Sequence, residues 1–250
     1  MPLFLLMKAK KTRNRRKVQV IISTLDSLLA SVDSLPQSDH DVSRDFQSKK
    51  KMTFLASRVL LRLALKSFYA LDEVPSLSFG SHGKPYFDPD LSLFFNFSHS
   101  GNYIGAAFGS TEMGFDIECV KDRKNFQGLC KKVLTDPEKN YIFKLSEKDQ
   151  REFFTLLWTV RESLLKDSGL GLVGLSRLCI DPERNCGTAP DNPILCVHSY
   201  NIASLFPSTF EKAFFSLTAR VSDKIEFFTI EGITLKKLNN VQTERIIKIN

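Results

Sequence analysis

Apolar residues recur at helical spacing in two segments of the chain. The first runs from about residue 49 to 71 and contains neither Gly nor Pro. Its apolar residues at three- and four-residue intervals are Leu55, Val59, Leu60, Leu63 and Ala64. The second runs from 149 to 169 and ends at Gly169, a residue type that commonly terminates helices. These two segments are the predicted long helices.

Short apolar segments between turn residues predict the strands. In the first half they are 18–24, 91–99, 102–109 and 113–120, and after the second helix they are 175–180, 194–200, 214–221 and 225–230. The polar stretches 36–47, 80–90 and 182–193 are predicted loops, the last two rich in Gly or Pro. Each half of the chain therefore combines one long helix with several strands, which predicts an α+β fold.

The positive charge of the protein is concentrated near its N-terminus. The 250 residues have a formal net charge of +7, and seven cations lie between residues 8 and 17. Without those seven, the chain has 28 basic and 28 acidic residues. We therefore expect residues 1–17 to be a mobile basic extension and the folded body to have no nucleic-acid partner.

Composition also limits where the protein works. The N-terminal basic run follows the apolar residues, the reverse of a secretory signal, and no stretch has the roughly 18 uncharged apolar residues of a membrane helix. The five cysteines show no CxxC spacing, which argues against a disulfide framework or a zinc site. We expect a cytoplasmic protein without a membrane span.

Asp116 and Glu118 in GFDIE (114–118) are the first candidates for chemistry. Alternate residues of a strand project from the same face, so these carboxylates lie side by side and repel each other. Either water or a cation relieves that repulsion. Carboxylate oxygens favour Mg²⁺, which commonly binds one or two carboxylates together with substrate phosphates, and a solvated strand face is the alternative.

Glu162 and Lys166 lie four residues apart on the second helix and so share one face. They are either an ordinary surface pair or a third carboxylate near the metal with a cation for phosphate. His99 is a candidate for proton transfer or phosphate binding. Its neighbour Ser98 points to the opposite face of an extended segment, and the chain has no GxSxG elbow, so we exclude a Ser-His hydrolase.

Four motifs in order resemble one family. They are GKPY (83–86), FNFSHSG (95–101), GFDIE (114–118) and WTVRESLLKDSGLGL (158–172). This series resembles the Sfp-type 4′-phosphopantetheinyl transferases, and FLASRVLLR (54–62) is similar to their first long helix. The resemblance implies two α/β subdomains related by a pseudo-twofold axis, which we place at 18–112 and 113–250.

The resemblance also implies an activity. Such enzymes transfer 4′-phosphopantetheine from coenzyme A to a serine of an apo acyl or peptidyl carrier protein, with Mg²⁺, and release 3′,5′-ADP. Asp116, Glu118 and Glu162 would hold the metal, and Glu162 would also be the base. Lys166 would contact the pyrophosphate. The implied coenzyme A residues are Lys84, Pro85, Ser98, His99, Lys166, Arg44 and Lys49.

Two features depart from the family pattern, Arg161 and the pair Val133-Leu134, where many relatives have aromatic residues. Arg161 stands where the family usually has Lys, and Arg and Lys differ in the geometry with which they bind phosphate. Glu138 resembles a family glutamate in a segment that follows the metal strand. The competing functions are an Mg²⁺-dependent nuclease and a catalytically silent carrier-binding module of the same fold. We expect a monomer that serves fatty-acid, polyketide or nonribosomal-peptide synthesis.

Overall fold

The computed structural model describes residues 16–80, 83–189, 195–206 and 211–250. The basic extension predicted at 1–17 therefore lies outside the described residues, apart from its last two. Of these, Arg16 accepts a hydrogen bond through its backbone carbonyl from the amide of Lys224, and Lys17 begins the first strand.

The two long helices and most of the strands follow the predicted order, but residues 175–177 of one predicted strand lie in a 3-10 helix (Gly171–Arg177), and only Cys179–Asp181 form a strand there. The α-helices of the described ranges are α1 (Leu25–Leu29), α2 (Gln37–Val42), α3 (Ser48–Tyr69), α4 (Phe126–Val133), α5 (Asp136–Ile142) and α6 (Glu147–Ser168). The strands there are β1 (Lys17–Thr24), β2 (Ser78–Phe79), β3 (Pro85–Tyr86), β4 (Phe94–Ser100), β5 (Tyr103–Gly109), β6 (Phe115–Cys119), β7 (Cys179–Asp181), β8 (Cys186–Thr188), β9 (Leu195–Asn201), β10 (Ala213–Ala219), β11 (Lys224–Glu231), β12 (Thr234–Leu238) and β13 (Arg245–Ile249).

Two sheets and two long helices form the body of the protein, which confirms the α+β prediction. One sheet has the strand order β12-β11-β1-β5-β4 and the other has β6-β10-β9-β13-β8-β7. Helix α3 packs on the first sheet and α6 on the second. A third apolar cluster lies between the sheets, so each sheet is covered on both faces.

Burial on both faces explains why the inner strands are apolar without alternation. Every residue of β5 is buried. Ile104, Ala106 and Phe108 pack in the cluster beneath α3. Tyr103 and Ala107 project from the other face into the cluster between the sheets. Because both faces of β5 are covered, its sequence is a continuous hydrophobic run and does not alternate between apolar and polar residues.

Helix α2 lies where the sequence predicted a loop, and that prediction was wrong. Its residue Asp39 is buried and bonded to two arginines of α3, to Arg58 Nε at 2.7 Å and to Arg62 Nε at 3.0 Å. Because the stabilising partners lie 19 and 23 residues along the chain, the local polar pattern of 36–47 gives no sign of them.

The first sheet takes two of its strands from the C-terminal part of the chain. Strand β11 pairs in parallel with β1, and β12 continues the sheet beyond it. The subdomain boundary expected between residues 112 and 113 lies between β5 and β6, but the first sheet also contains β11 and β12 from beyond that boundary. Pairing with β11 satisfies the second edge of β1, which is buried on both sides.

Two expectations for the whole chain bear on the fold. No helix in the part of the chain that the structure describes is long and apolar enough to cross a membrane. The five cysteines, all of which lie in the described ranges, form no disulfide. The fold is accordingly held by its packed layers and by polar contacts such as the cluster around Glu226.

Glu226 on β11 is surrounded by lysines from its own strand and from both neighbouring strands. Its Oε1 lies 2.8 Å from Lys237 Nζ and 3.1 Å from Lys224 Nζ, and its Oε2 lies 3.8 Å from Lys17 Nζ. Hydrogen bonds from Lys237 and then Lys224 lower the pKa of Glu226 to about 2. The ionised carboxylate thus stabilises the join between the first and last parts of the chain.

We expect Glu226→Gln to lower the free energy of unfolding at pH 7. Because the folded-state pKa lies below the ordinary value of 4.5, the wild-type advantage is complete above about pH 4.5 and is lost as the pH falls to about 2. Urea unfolding of both proteins from pH 7 to pH 2 measures this. Glu231→Gln, whose side chain is 59% exposed, is the control and should change stability little. A pH-independent loss for Glu226→Gln would contradict the expected role of its charge.

Candidate active site

The predicted site residues meet where the two sheets lie edge to edge. Strand β4 is an edge of the first sheet, β6 is an edge of the second, and the two lie side by side. Helix α6 packs across β6 and ends near the same seam. The three motifs that contain His99, Asp116 and Glu162 are thus brought together by contacts between distant parts of the chain.

Asp116 is the most enclosed acid of the site. Its Oδ1 accepts hydrogen bonds from Ser98 Oγ at 2.8 Å and from Lys166 Nζ at 2.7 Å. Its Oδ2 is buried and has no hydrogen-bond partner within the described structure. Burial raises the pKa of Asp116, and the opposing effects of Lys166 and Ser98 do not offset it. One buried carboxylate oxygen is therefore left without a hydrogen bond from the described residues, which is unusual for a buried polar atom.

Lys166 joins the helix to both edge strands. In addition to Asp116, its Nζ donates to the carbonyl of Phe115 on β6 at 3.2 Å and to that of Phe97 on β4 at 3.4 Å. Its contacts therefore go beyond the surface pair with Glu162 that the sequence left open. The ammonium places a positive charge where the two sheets meet.

Glu118 lies at the more open end of the same strand. Its Oε2 accepts hydrogen bonds from Ser100 Oγ at 2.8 Å and from Lys121 Nζ at 3.2 Å. Its side chain is 24% exposed, whereas Asp116 is almost completely buried. The two acids on one strand face thus differ in their access to solvent.

A glycine allows α6 to approach β6. A Cβ atom added at Gly114 would overlap the backbone carbonyl of Ser163, the residue that follows Glu162. Any side chain here would push the helix away from the strand. The close approach brings Glu162 within electrostatic range of the other acids, and burial followed by repulsion from Asp116 raises the pKa of Glu162.

The donor set suits a magnesium ion. It consists of carboxylates, one of which has a buried oxygen that bonds to no described residue, and Mg²⁺ prefers oxygen ligands. In the ranges described, no three His, Cys, Asp or Glu side chains are close enough to form a metal site by themselves. Lys166 lies against Asp116, so the metal role of Asp116, Glu118 and Glu162 stays a prediction.

Two cavities adjoin the acids. The first, of about 280 Å³, is lined by Lys84, Glu162 and Lys166. The second, of about 580 Å³, is lined by Lys49, Ser98 and His99 together with Phe46 and Phe54.

Pro85 and Phe97 belong to both cavities, so these are neighbours across one wall. Lys84 Nζ donates to the carbonyl of Lys166 at 2.9 Å and to Glu112 Oε2 at 2.7 Å. This contact holds the segment after Gly83 against the end of α6.

Ser98 and His99 are directed to opposite sides of β4, as the alternation of a strand predicts. Ser98 is buried and faces Asp116, whereas His99 is exposed at the second cavity. The atoms around the imidazole still remove part of its water, and this desolvation lowers the pKa of His99, with smaller effects from Lys166 and Lys49. His99 therefore loses its proton more readily than a free histidine.

Sequence reasoning missed several residues around the acids, and one predicted coenzyme A residue, Arg44, lies away from the two cavities. Arg44 pairs with Asp41 at 2.6 Å, its side chain is 72% exposed, and it lies outside the linings of both cavities. Asn96, Ser100 and Lys121 were not singled out. Asn96 lies two residues before Ser98 on β4 and Ser100 lies two residues after it. Alternate residues of a strand share one face, so this spacing is the signal by which they could have been found.

Comparison with known proteins agrees with this arrangement. Residues 112–195, which include Asp116, Glu118 and Glu162, match the model of the 4′-phosphopantetheinyl transferase superfamily. The 4′-phosphopantetheinyl transferase AcpT of Salmonella typhimurium is 31% identical over 152 residues, which cover 60% of this chain and 74% of that protein. The chain belongs to this superfamily.

Two further relatives are similar over shorter regions. The 4′-phosphopantetheinyl transferase AcpT of Escherichia coli K12 is 32% identical over 124 residues, or 49% of this chain and 60% of that protein. The 4′-phosphopantetheinyl transferase Sfp of Bacillus subtilis 168 is 30% identical over 139 residues, or 55% of this chain and 61% of that protein. These matched regions span about three fifths of each relative. The nuclease alternative finds no support among these 4′-phosphopantetheinyl transferases.

Arg161, the residue that departs from the usual superfamily pattern, has a structural partner. It is 1% exposed, and its guanidinium lies 2.5 Å from Glu138 Oε1 and donates to the carbonyl of Leu175 at 2.8 Å. Glu138 is fully buried and also accepts from the amide of Thr135 at 2.6 Å. The pair therefore fastens α6 to α5 and to the turn at 171–177.

We expect Arg161→Met to lower the free energy of unfolding by about 3–5 kcal/mol, because it leaves the Glu138 carboxylate buried without a counter-ion. Arg161→Lys should lose less, since one ammonium keeps the charge but cannot replace both guanidinium contacts. Urea denaturation gives the three stabilities. Arg184→Met is the control, because its side chain is 82% exposed. If the free energy of unfolding of Arg161→Met equalled that of Arg184→Met, the buried pair would not stabilise the packing of α6 on α5.

Proposed function

We propose that the protein transfers 4′-phosphopantetheine from coenzyme A to a serine of an apo acyl or peptidyl carrier protein and releases 3′,5′-ADP. The observation that supports this most directly is the first cavity, where Glu162 and Lys166 lie together beside Asp116 and its unpartnered oxygen. Superfamily membership supplies the reaction class. The cavity supplies a carboxylate, an ammonium and space for a phosphate group.

The side chains suit a phosphoryl transfer. The oxygen of the carrier serine forms a bond to the phosphorus that carries the pantetheine arm, and the bond from that phosphorus to 3′,5′-ADP breaks. Glu162 accepts the serine proton, a role that its raised pKa favours. Lys166 offsets negative charge on the phosphates. Asp116, Glu118 and Glu162 would hold Mg²⁺, which when bound neutralises pyrophosphate charge.

The second cavity suits the 3′-phosphoadenosine end of coenzyme A. Phe46, Phe54 and Phe97 supply aromatic walls, and Lys49 and His99 supply cationic or hydrogen-bonding groups. A purine stacks on aromatic rings, and phosphate attracts ammonium and imidazolium groups. Because Pro85 and Phe97 also line the first cavity, one ligand would extend from the aromatic cavity to the acids.

We expect Glu162→Gln and Asp116→Asn to reduce transfer at least about 100-fold, because each removes a carboxylate from the reaction centre. Mass spectrometry of purified apo carriers after incubation with coenzyme A and Mg²⁺ measures the added phosphopantetheine. Glu147→Gln is the matched control, on the same helix but with a side chain that is 91% exposed, and it should keep the wild-type rate.

Two results would count against the proposed transfer. Near-normal modification by Glu162→Gln would remove Glu162 from the reaction. Failure of the unaltered protein to modify any carrier, with carrier binding intact, would favour the catalytically silent module. Testing carriers of fatty-acid, polyketide and nonribosomal-peptide synthesis in parallel also identifies the substrate.

We expect His99→Ala and Lys49→Ala each to weaken coenzyme A binding about tenfold, because each removes a partner of the 3′-phosphate. Isothermal titration calorimetry with coenzyme A gives the affinities. Dephospho-coenzyme A lacks the 3′-phosphate and is the matched control ligand, so its affinity should change much less. Equal losses for both ligands would mean that these side chains contact another part of the molecule.

A further inference from the structure

A ladder of side chains joins the two edge strands at the seam. Asn96, Ser98 and Ser100 lie at alternate positions of β4, and all three are buried. Asn96 Oδ1 accepts a hydrogen bond from the amide of Phe115 at 3.4 Å. Ser98 Oγ and Ser100 Oγ accept, each at 3.1 Å, from the amides of Ile117 and Cys119. The side chains of one sheet thus satisfy the backbone of the other.

The two serines make a second bond that the asparagine does not. Ser98 Oγ donates to Asp116 Oδ1, and Ser100 Oγ donates to Glu118 Oε2, both at 2.8 Å. Each serine therefore bonds to a carboxylate and to the amide of the residue that follows it. Asn96 accepts a backbone amide in the same way but is not bonded to a carboxylate. Comparing it with the serines therefore distinguishes joining the two strands from holding a carboxylate.

The direction of each serine proton is fixed by these contacts. A hydroxyl group has one proton to donate and two lone pairs to accept with. At Ser100 the amide of Cys119 and the ammonium of Lys121, at 3.2 Å, both donate to Oγ. The only proton of Ser100 then goes to Glu118. At Ser98 the amide of Ile117 donates to Oγ, and the proton goes to Asp116.

We infer that Ser98 and Ser100 are positioning residues, which act through Asp116 and Glu118 and present these carboxylates to a divalent cation. Each hydroxyl holds one oxygen of its carboxylate, and for Asp116 the other oxygen is the buried one that no described residue bonds. Hydrogen bonds to ligating carboxylates fix their orientation and strengthen metal binding. This role rests on the proposed function, and it gives Ser98 a task other than contact with coenzyme A.

Binding of Mn²⁺ as a probe ion tests the inference without the transfer reaction. Electron paramagnetic resonance measures the concentration of free Mn²⁺ as the protein is titrated with the ion, with and without coenzyme A. We expect Ser98→Ala and Ser100→Ala each to weaken Mn²⁺ binding by about tenfold or more. Ser100→Thr retains a hydroxyl group and should bind Mn²⁺ within about threefold of the unaltered protein.

Asn96→Ala is the matched control within the ladder. It leaves the amide of Phe115 without its partner, so it should lower the free energy of unfolding as the serine variants do. It removes no bond to a carboxylate, so its Mn²⁺ affinity should stay within about threefold of the unaltered protein. Thermal unfolding of all variants without metal shows which of them are folded. If an alanine variant fails to fold, the corresponding cysteine variant replaces it. Its loss of Mn²⁺ affinity should be smaller than that expected for alanine, because a thiol still donates a weak hydrogen bond.

The outcomes separate the inference from the function on which it rests. If the serine variants lose stability but bind Mn²⁺ like Asn96→Ala, the serines are structural only and the inference is overturned. If the unaltered protein transfers phosphopantetheine but the serine variants keep wild-type Mn²⁺ affinity, the function stands and the positioning role fails. If the unaltered protein binds no Mn²⁺ and transfers nothing, both the site and its positioning residues are rejected.

Discussion

The architecture depends on how two edge strands from different sheets are joined without a backbone ladder between them. The amides of β6 that face β4 are buried, and a buried amide without a partner costs roughly 1–3 kcal/mol. Asn96, Ser98 and Ser100 supply the missing acceptors. The seam needs short polar side chains as acceptors for these amides. Their hydroxyl groups therefore lie beside the side chains that project from the same face of β6. That face contains Asp116 and Glu118, so the join between the sheets also forms the surroundings of the acids.

Lys166 completes the seam from the third side. Its ammonium bonds to a carbonyl on each edge strand and to Asp116, so one cation links α6, β4 and β6. The helix can reach this position only because Gly114 has no side chain. Moving α6 outward would separate Lys166 from Asp116 and Glu162 from both acids. The glycine in the GFDIE motif therefore contributes as much to the arrangement of charges as the acids that follow it.

Local patterns predicted most of the framework and several of the side chains that the structure brings together at the seam. Helices α3 and α6 and strands β4, β5 and β6 lie within a few residues of their predicted bounds, because apolar periodicity and Gly punctuation are local signals. Helix α2, the pairing of β11 with β1, and the bond from Ser100 to Glu118 were not predicted. Each depends on a partner that is distant in the sequence, such as Arg58 for Asp39. The burial of Arg161 beside Glu138 was missed for the same reason.

The carboxylates at the seam are less well stabilised than a carboxylate elsewhere in the protein. Glu226 has lysines close to both carboxylate oxygens and a lowered pKa, so its charge adds to folding. At Asp116 and Glu162 burial raises both pKa values, with further repulsion from Glu118 at Asp116 and from Asp116 at Glu162, and one oxygen of Asp116 has no partner among the described residues. Replacing either acid by an apolar residue would remove that cost. Their retention beside a cavity with a lysine is therefore better explained by a ligand than by folding, since Lys166 bonds to only one oxygen of Asp116 and a bound cation would attract both carboxylates.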